Sequence, residues 1–369
     1  MSQQFLIGLV LGFGICLSTV PAQQHPEAIN SNTVVAKTPQ KQDSANEVVP
    51  DVLEKISDAV QQLCQRHKDA LVRVRTTTSL GIFHGTGFLI DAQGHIVTSS
   101  SLVPDNGQVL VRKDDVEVIA EVVGLDRPSS IALLKAQQLS NHNSLHFRQG
   151  TALEAGSAVV ILGFPYNKNP SPLFALIDSH DRVLPDGRML CVTHLRMNVP
   201  IIPGMIGSPV LDSSGQVVGM VTGTANEGRL TYALSTPFLR RVLSELSQHG
   251  KVRRGWIGVE LEESRLEPGA PSRLVVSKVH PNTPAHSAGV QPGDILQRIG
   301  DRIVQDRFDV IEAAFLSYVG QQVPIFVQRN HQQLVFHLAV VERPDEIPFV
   351  EVRKPSSVGL VFAVSTEEN

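Results

Sequence analysis

Between about residue 70 and residue 236 the chain alternates apolar and polar side chains in short segments bounded by Gly, Asp and Pro. Leu71-Val72-Arg73-Val74-Arg75 opens the pattern. Residues 85–98 read as a hairpin turning at 91–94, and residues 108–112, 117–125 and 131–135 continue it. The run Ala158-Val159-Val160-Ile161-Leu162-Gly163 is apolar throughout and reads as a strand buried on both faces. A period of two repeated this often predicts antiparallel strands closed into two packed β-barrels. Helical spacing occurs at Val52, Ile56, Val60, Leu63 and Cys64, which predicts a helix over 51–68 capped by Asp51, with Glu54 reaching back. A second helix is expected over 237–249. Beyond it the strand pattern resumes at 259–261, 274–279, 323–327 and 334–341, with a helix over 309–319. The expected class is mainly β.

Composition narrows this further. A chain of 369 residues has room for two or three domains, and a formal net charge of −4 gives no electrostatic case for nucleic acid. Residues 5–20 are apolar and suit a signal peptide cut after Ala22. The preceding Ser2-Gln3-Gln4 carries no cation, so an uncleaved anchor stays open. Bulky Ile15 before Cys16 argues against lipidation. Residues 23–50 are polar and read as a flexible linker. Cys64 and Cys191 have no metal-ligand spacing and read as small buried hydrophobes, although export permits a disulfide between them. His142 and His146 lie in a polar loop without a third ligand. No metal and no cofactor are expected.

Several motifs in order resemble the HtrA/Deg family of trypsin-like serine proteases with a C-terminal PDZ domain. Gly85-Thr86-Gly87-Phe88-Leu89-Ile90-Asp91, Gly124-x-Asp126 before Ile131-Ala132-Leu133-Leu134-Lys135, Ile161-Leu162-Gly163-Phe164-Pro165-Tyr166 and Arg253-Arg254-Gly255-Trp256-Ile257-Gly258-Val259 all fall in the family's sequence. The resemblance implies a double β-barrel over 51–240, one PDZ domain over 253–343 and a C-terminal tail over 344–369. It also implies a place outside the cytoplasm and, as a family habit, a trimer.

The family's catalytic His follows the first hairpin; here Thr98-Ser99-Ser100-Ser101-Leu102-Val103 places Ser101 there. Its Asp precedes the 131–135 strand, where Ser130 stands. Its nucleophile lies in a Pro-Gly-x-Ser-Gly-Gly-Pro loop; here Pro203-Gly204-Met205-Ile206-Gly207-Ser208-Pro209 places Ile206 there. Isoleucine has no nucleophilic atom, and a serine hydroxyl near its ordinary pKa cannot take a proton as imidazole does. A triad acts as a unit, so three replacements point to loss of the whole unit. Gly204 and Ile206 keep the backbone N–H groups of an oxyanion hole. A rebuilt site would need Ser208 and one of His84, His95, His180 or His194.

In the PDZ segment Gly255, Trp256, Ile257 and Gly258 resemble a carboxylate-binding loop, and Val259 to Leu261 a strand edge that pairs with a peptide. Pro284-Ala285-His286-Ser287-Ala288-Gly289 and Pro292-Gly293-Asp294 match the family's PDZ core. The expected function is a non-catalytic, HtrA-like pseudoprotease that binds peptides or protein C-termini, acting as a scaffold, chaperone-like binder or regulator, with active homologues among its partners. The alternative is an HtrA-like serine endopeptidase. Any membrane contact is expected only through an uncleaved N-terminal segment.

Overall fold

The computed structural model describes residues 48–105, 107–150, 153–182, 192–225, 228–264 and 273–344. Apart from the first two residues of its leading helix, all of this belongs to one compact unit, Pro50–Asn369. The signal-peptide and C-terminal tail calls, and the call on Cys191, fall outside the described residues.

A leading helix, α1 (Val48–His67), starts inside the stretch read as linker. Asp51 is therefore not its cap. It lies in the first turn and pairs with Lys55 at 2.7 Å. Val52, Leu53 and Ile56 are exposed, and the helix meets the core only from Val60 through Leu63 and Cys64. Cys64 is half-buried rather than buried, and burial raises its thiol pKa.

Six strands follow: β1 (Leu71–Thr78), β2 (Gly81–Leu89), β3 (His95–Ser99), β4 (Val109–Lys113), β5 (Val116–Asp126) and β6 (Ile131–Lys135). They close into an antiparallel barrel in the order β1-β2-β3-β6-β5-β4. Period two sorts their side chains. Val72, Val74 and Thr76 of β1 face inward beside Leu89, Ile96, Val111 and Leu134, while Arg73 and Arg75 face out. A second closed barrel, in the order β10-β11-β12-β9-β8-β7, is built from β7 (Ala158–Gly163), β8 (Ser171–Arg182), β9 (Thr193–Met197), β10 (Pro209–Leu211), β11 (Val217–Ala225) and β12 (Leu230–Ser235). Val159, Ile161, Ile177, Leu195, Met197, Val210 and Val221 fill it.

The largest core lies between the barrels. Phe88, Val97, Ile131 and Leu133 of the first meet Val160, Leu162, Leu211 and Leu234 of the second, and α2 (Thr236–His249) adds Phe238, Leu239, Val242 and Leu246. Each of these side chains, fully buried, contributes roughly 1.5–3 kcal/mol of transfer free energy. Gly250 ends α2 at φ +69°, its N–H donating to Leu246 O.

The last domain is the PDZ fold. It comprises β13 (Gly255–Trp256), β14 (Val259–Ser264), β15 (Arg273–Val279), α3 (Pro284–Ala288), β16 (Ile295–Ile299), β17 (Arg302–Ile303), α4 (Arg307–Leu316), β18 (Gln322–Arg329), β19 (Gln332–Ala339) and β20 (Val341–Glu342). The main sheet runs β14-β15-β16-β18-β19, which leaves β14 at an edge. α4 begins earlier than the pattern predicts. Asp306 accepts the Phe308 and Asp309 N–H groups in a capping box, and the helix stops at Leu316.

Polar and apolar contacts join this domain to the barrels. Arg182 of β8 grips Asp306 at 2.6 and 2.8 Å and Asp309 at 2.5 Å, Thr193 of β9 donates to Glu312, and Phe315 of α4 packs on Phe238 with ring centroids 5.8 Å apart. Arg254, just before β13, donates to both oxygens of buried Asp126 at 2.8 and 3.0 Å.

His194 of β9 is fully buried, its Nδ1 2.7 Å from Val192 O, and burial lowers its pKa from 6.5 to about 4. The unfolded chain therefore binds more protons between those values. Stability is complete above pH 6.5 and falls as the pH drops towards 4, by roughly 3 kcal/mol. Denaturant unfolding from pH 7 to pH 4 is expected to show this loss, and His194→Leu, which removes the titration, a flatter profile over the same window.

Candidate functional site

The three residues that the sequence resemblance assigns to triad positions, Ser101, Ser130 and Ile206, lie on neighbouring turns where the two barrels meet. β3 ends at Ser99 and runs into a single 3-10 turn, Ser100–Leu102. Ser99 Oγ accepts the Ser101 N–H at 3.3 Å and lies 2.8 Å from Ser101 Oγ, so the exposed Ser101 hydroxyl is engaged with another hydroxyl. Ser130 closes the β5–β6 turn at φ +60°, and its carbonyl accepts the Ser100 N–H at 3.1 Å. Arg127 locks this corner. Its guanidinium donates to Ser100 O, to Val103 O at 2.8 Å and to Asp105 at 2.7 Å.

The loop 203–208 approaches from the second barrel. Ile206 O accepts the Thr86 N–H at 2.9 Å, and Gly207 N–H donates to Val221 O at 2.9 Å. Two glycines are required by space. A Cβ on Gly204 (φ +93°) would lie 2.2 Å from Phe164 O, and one on Gly207 (φ +85°) 2.2 Å from Thr86 O and 3.1 Å from Ser99 N. Gly85 performs the same service between the two turns, since a Cβ there would meet Leu102 Cδ1 at 2.2 Å and Ile206 O at 3.0 Å. The Ile206 side chain is half-buried and packs on the core of the second barrel. Among the described residues, neither the Gly204 nor the Ile206 N–H donates to a protein acceptor.

Ser208 is fully buried, its Oγ 4.0 Å from Met205 Sδ and crowded against Gly163. A substrate carbonyl has no path to it. The histidines are elsewhere. His95 faces Asp91 at 2.6 Å, His194 is sealed in the second barrel, and His180 is exposed on β8. His84 lies opposite Arg75 on the outer wall of the first barrel, where burial and the Arg75 charge push its imidazole towards neutrality. No group of three or more His, Cys, Asp or Glu able to hold a metal occurs among the described residues.

The second site is the groove between β14 and α4, a cleft of about 850 Å³ walled by Ile257, Val259 and Leu261 on one side and Val310, Ile311 and Ala314 on the other. Its closed end is the loop 255–258. Ile257 O accepts the Ala285 N–H and Gly258 O the His280 N–H, both at 2.9 Å, so both carbonyls turn into the domain. Gly258 has φ +93°, and a Cβ on it would lie 2.2 Å from Thr283 Cβ. Gly255 is constrained differently: it has no positive φ, and a side chain there would strike Val340 at 2.6 Å and the Ala314 carbonyl at 2.9 Å. Trp256 packs against His280 with ring centroids 5.2 Å apart and planes tilted by 59°. Along β14, Glu260 pairs with Lys278 at 2.8 Å, and this hydrogen bond leads the causes that draw its carboxyl pKa down.

Sequence reasoning missed the fastening of Arg254 to Asp126 and the polar face of α4. Asp126 accepts the Ser129 N–H at 3.0 Å within its own turn. Its second role joins residues 128 apart in the chain, which no local pattern signals.

Residues 85–220 match the trypsin-like peptidase domain family and residues 255–340 the PDZ domain family. A probable periplasmic serine endoprotease, DegP-like, from Pseudomonas fluorescens is 26% identical over 340 residues, covering 88% of this chain and 70% of the relative. The serine endoprotease DegS of Salmonella typhimurium is 26% identical over 277 residues, covering 70% of this chain and 77% of the relative. Among solved structures, the HtrA-type protease AlgW with a tripeptide superposes with a TM-score of 0.64 at 24% identity, covering 77% of this chain and 97% of the other. A serine endoprotease from Yersinia pestis superposes at 0.58 with 23% identity, covering 77% and 98%.

The loop geometry makes its own prediction. Gly207→Ala places a methyl against Thr86 O and forces a left-handed backbone on a residue with a side chain. Denaturant unfolding is expected to show a larger loss than for Gly156→Ala, which carries the left-handed cost of its φ of +87°, about 1 kcal/mol or more, but meets nothing within 4 Å of the added methyl.

Proposed function

The chain belongs to the HtrA/Deg family, a trypsin-like domain followed by a PDZ domain, and from that premise we propose that it binds peptides and protein C-termini without hydrolysing them. The observation carrying this reading is chemical. The position that must supply a nucleophile holds Ile206, the position of the base holds Ser101, and that of the carboxylate holds Ser130. Among the described residues no hydrogen bond joins a histidine to Ser101 or Ser130; Ser101 Oγ meets Ser99 Oγ instead. A fully buried Ser208 does not substitute for the nucleophile. Binding requires less. An edge strand, an apolar floor and a glycine loop suffice for strand addition and carboxylate capture, and these parts are mostly backbone. The relatives are named as periplasmic proteins, which supports action outside the cytoplasm. Scaffolding, chaperone-like holding of unfolded chains, or regulation of active homologues are the roles such a binder fills.

The second reading is an endopeptidase. Its support is that the relatives are named serine endoproteases and that the Gly204 and Ile206 N–H groups remain unengaged.

One experiment separates the two. The full chain is incubated with a fluorophosphonate probe and with casein, alongside Ile206→Ser and the triple variant Ser101→His, Ser130→Asp, Ile206→Ser. No labelling and no cleavage are expected from the native chain, and none from the single variant, because a lone hydroxyl lacks a base. Labelling of the native chain, or proteolysis restored by Ile206→Ser alone, refutes the proposal.

Binding is tested by calorimetry on the full chain. Peptides with a free, apolar C-terminus are expected to bind in the micromolar range, on the order of −8 kcal/mol. Amidation weakens them by removing a charge-assisted contact, and Gly258→Val does so by driving a side chain into Thr283. Equal affinity of acid and amide forms sinks the carboxylate-loop assignment.

A further inference from the structure

We propose that the outer wall of the first barrel carries an oxyanion site that takes a phosphate group, in a cleft of about 440 Å³ lined by Arg73, Arg75, His84, Arg112, Glu117 and Asn167. Strand register brings the cations together. With Val72, Val74 and Thr76 facing inward, Arg73 and Arg75 share the outer face of β1. Arg73 pairs across to Arg112 of β4, and Arg75 to His84 of β2. Arg73 and Arg112 are like charges at directly opposed positions, which is destabilising, and the carboxylate opposite Arg112 on β5 is Glu117.

The cleft contains one carboxylate, and it is already engaged: Glu117 accepts from Arg75 Nη2 at 2.8 Å. Arg73 lies over the Phe164 ring, 4.6 Å from its centroid, and donates one Nη2 to Lys168 O at 3.0 Å. Arg112 turns its Nε to Asp114 O at 3.1 Å, and its Nη2 lies only loosely near Asp115 at 3.8 Å. The Nε atoms of both Arg73 and Arg75 are shut off from solvent without an acceptor, a cost of about 1–3 kcal/mol for each buried donor. Burial and the neighbouring Arg112 charge hold Arg73 below the usual arginine range.

A phosphate suits the terminal guanidinium nitrogens that face the cleft, while the buried Nε atoms of Arg73 and Arg75 lie out of its reach. Its oxygens accept from several guanidinium forks at once and from different directions, which a planar carboxylate does less well at a site with three forks. Asn167 lines the cleft from a left-handed backbone position, φ +56°. That turn also supports the loop of the candidate site, since Tyr166 N–H donates to Pro203 O at 2.7 Å and Phe164 O lies under Gly204. An anion in the cleft would therefore brace, from behind, the turn on which Gly204 and Ile206 sit.

The phosphate can come from solution or from a phospholipid headgroup, and the test separates them. Sodium phosphate and glycerol 1-phosphate are titrated calorimetrically into the full chain at constant ionic strength set with chloride. Vesicles of phosphatidylglycerol and of phosphatidylcholine are assayed by co-sedimentation. Arg112→Gln is the diagnostic variant, because its half-exposed side chain is not needed for the barrel core, and Arg273→Gln is the control of equal charge change. Saturable phosphate binding that weakens about tenfold or more in Arg112→Gln, and not in Arg273→Gln, is expected; loss of one charge-assisted contact corresponds to roughly that factor. Retention on phosphatidylglycerol vesicles with the same Arg112 dependence supports the headgroup source, and its absence beside phosphate binding supports the free anion. No saturable binding to either, or equal weakening in both variants, overturns the proposal.

Discussion

Thr86 is the residue through which the two barrels are fastened into one frame. It is completely buried in Gly85-Thr86-Gly87, and all of its polar groups are used. Its N–H donates to Ile206 O at 2.9 Å, its hydroxyl donates to Gly204 O at 2.8 Å and accepts from Phe164 N–H at 3.1 Å, and its carbonyl accepts from Thr98 Oγ1 at 2.8 Å. One residue thus links β2, β3, the end of β7 and the loop 203–208. Without these four bonds the three polar groups of Thr86 would be buried unpaired, each a loss of about 1–3 kcal/mol. The glycines on either side let the partners come close enough. The shape of the loop is therefore maintained by packing and backbone bonds that are indifferent to what residue 206 does chemically.

That indifference explains how the frame persists with Ser101, Ser130 and Ile206 inside it. Proton transfer and nucleophilic attack need particular side-chain atoms, whereas the loop needs only glycine at 204 and 207 and a donor at 86. The PDZ groove follows the same logic. Its demands fall on backbone groups of β14 and the loop 255–258, and on apolar volume along α4. A fold-level likeness to active proteases is therefore compatible with either chemistry, and the decision lies with the residues at the site.

Much of this was legible in the sequence because it is local. Period two located β3 to β7 to within a residue or two, whereas β1 and β2 run three or four residues longer than the pattern shows and β8 to β12 were not bounded by it; the short glycine-bounded frames singled out residues 101, 130 and 206. Gly258 was legible because a tight loop with a positive φ has few alternatives. The start of α1 at Val48 was not, because a polar stretch can be helical when nothing in its own pattern shows it. The reason for Gly255 was not legible, since its constraint is the approach of Val340 and Ala314 from 59 or more residues away. The links of Arg254 to Asp126 and of Arg182 to Asp306 and Asp309 join distant segments, and hydrophobic periodicity carries no information about such pairs.

The two faces of α4 have a consequence for how the protein can be taken apart. Val310, Ile311 and Ala314 line the groove, while Asp309, Glu312 and Phe315 are engaged by Arg182, Thr193 and Phe238 of the barrel domain. A domain excised near residue 253 would present a bare phenylalanine and an acidic patch to solvent, with the groove wall hanging from a helix that has lost its backing. Recombining such modules between homologues would succeed only if the donor barrel carried the matching arginine and aromatic. The seam between the domains is thus part of the helix itself, and the true unit of exchange is the barrels with α4 attached.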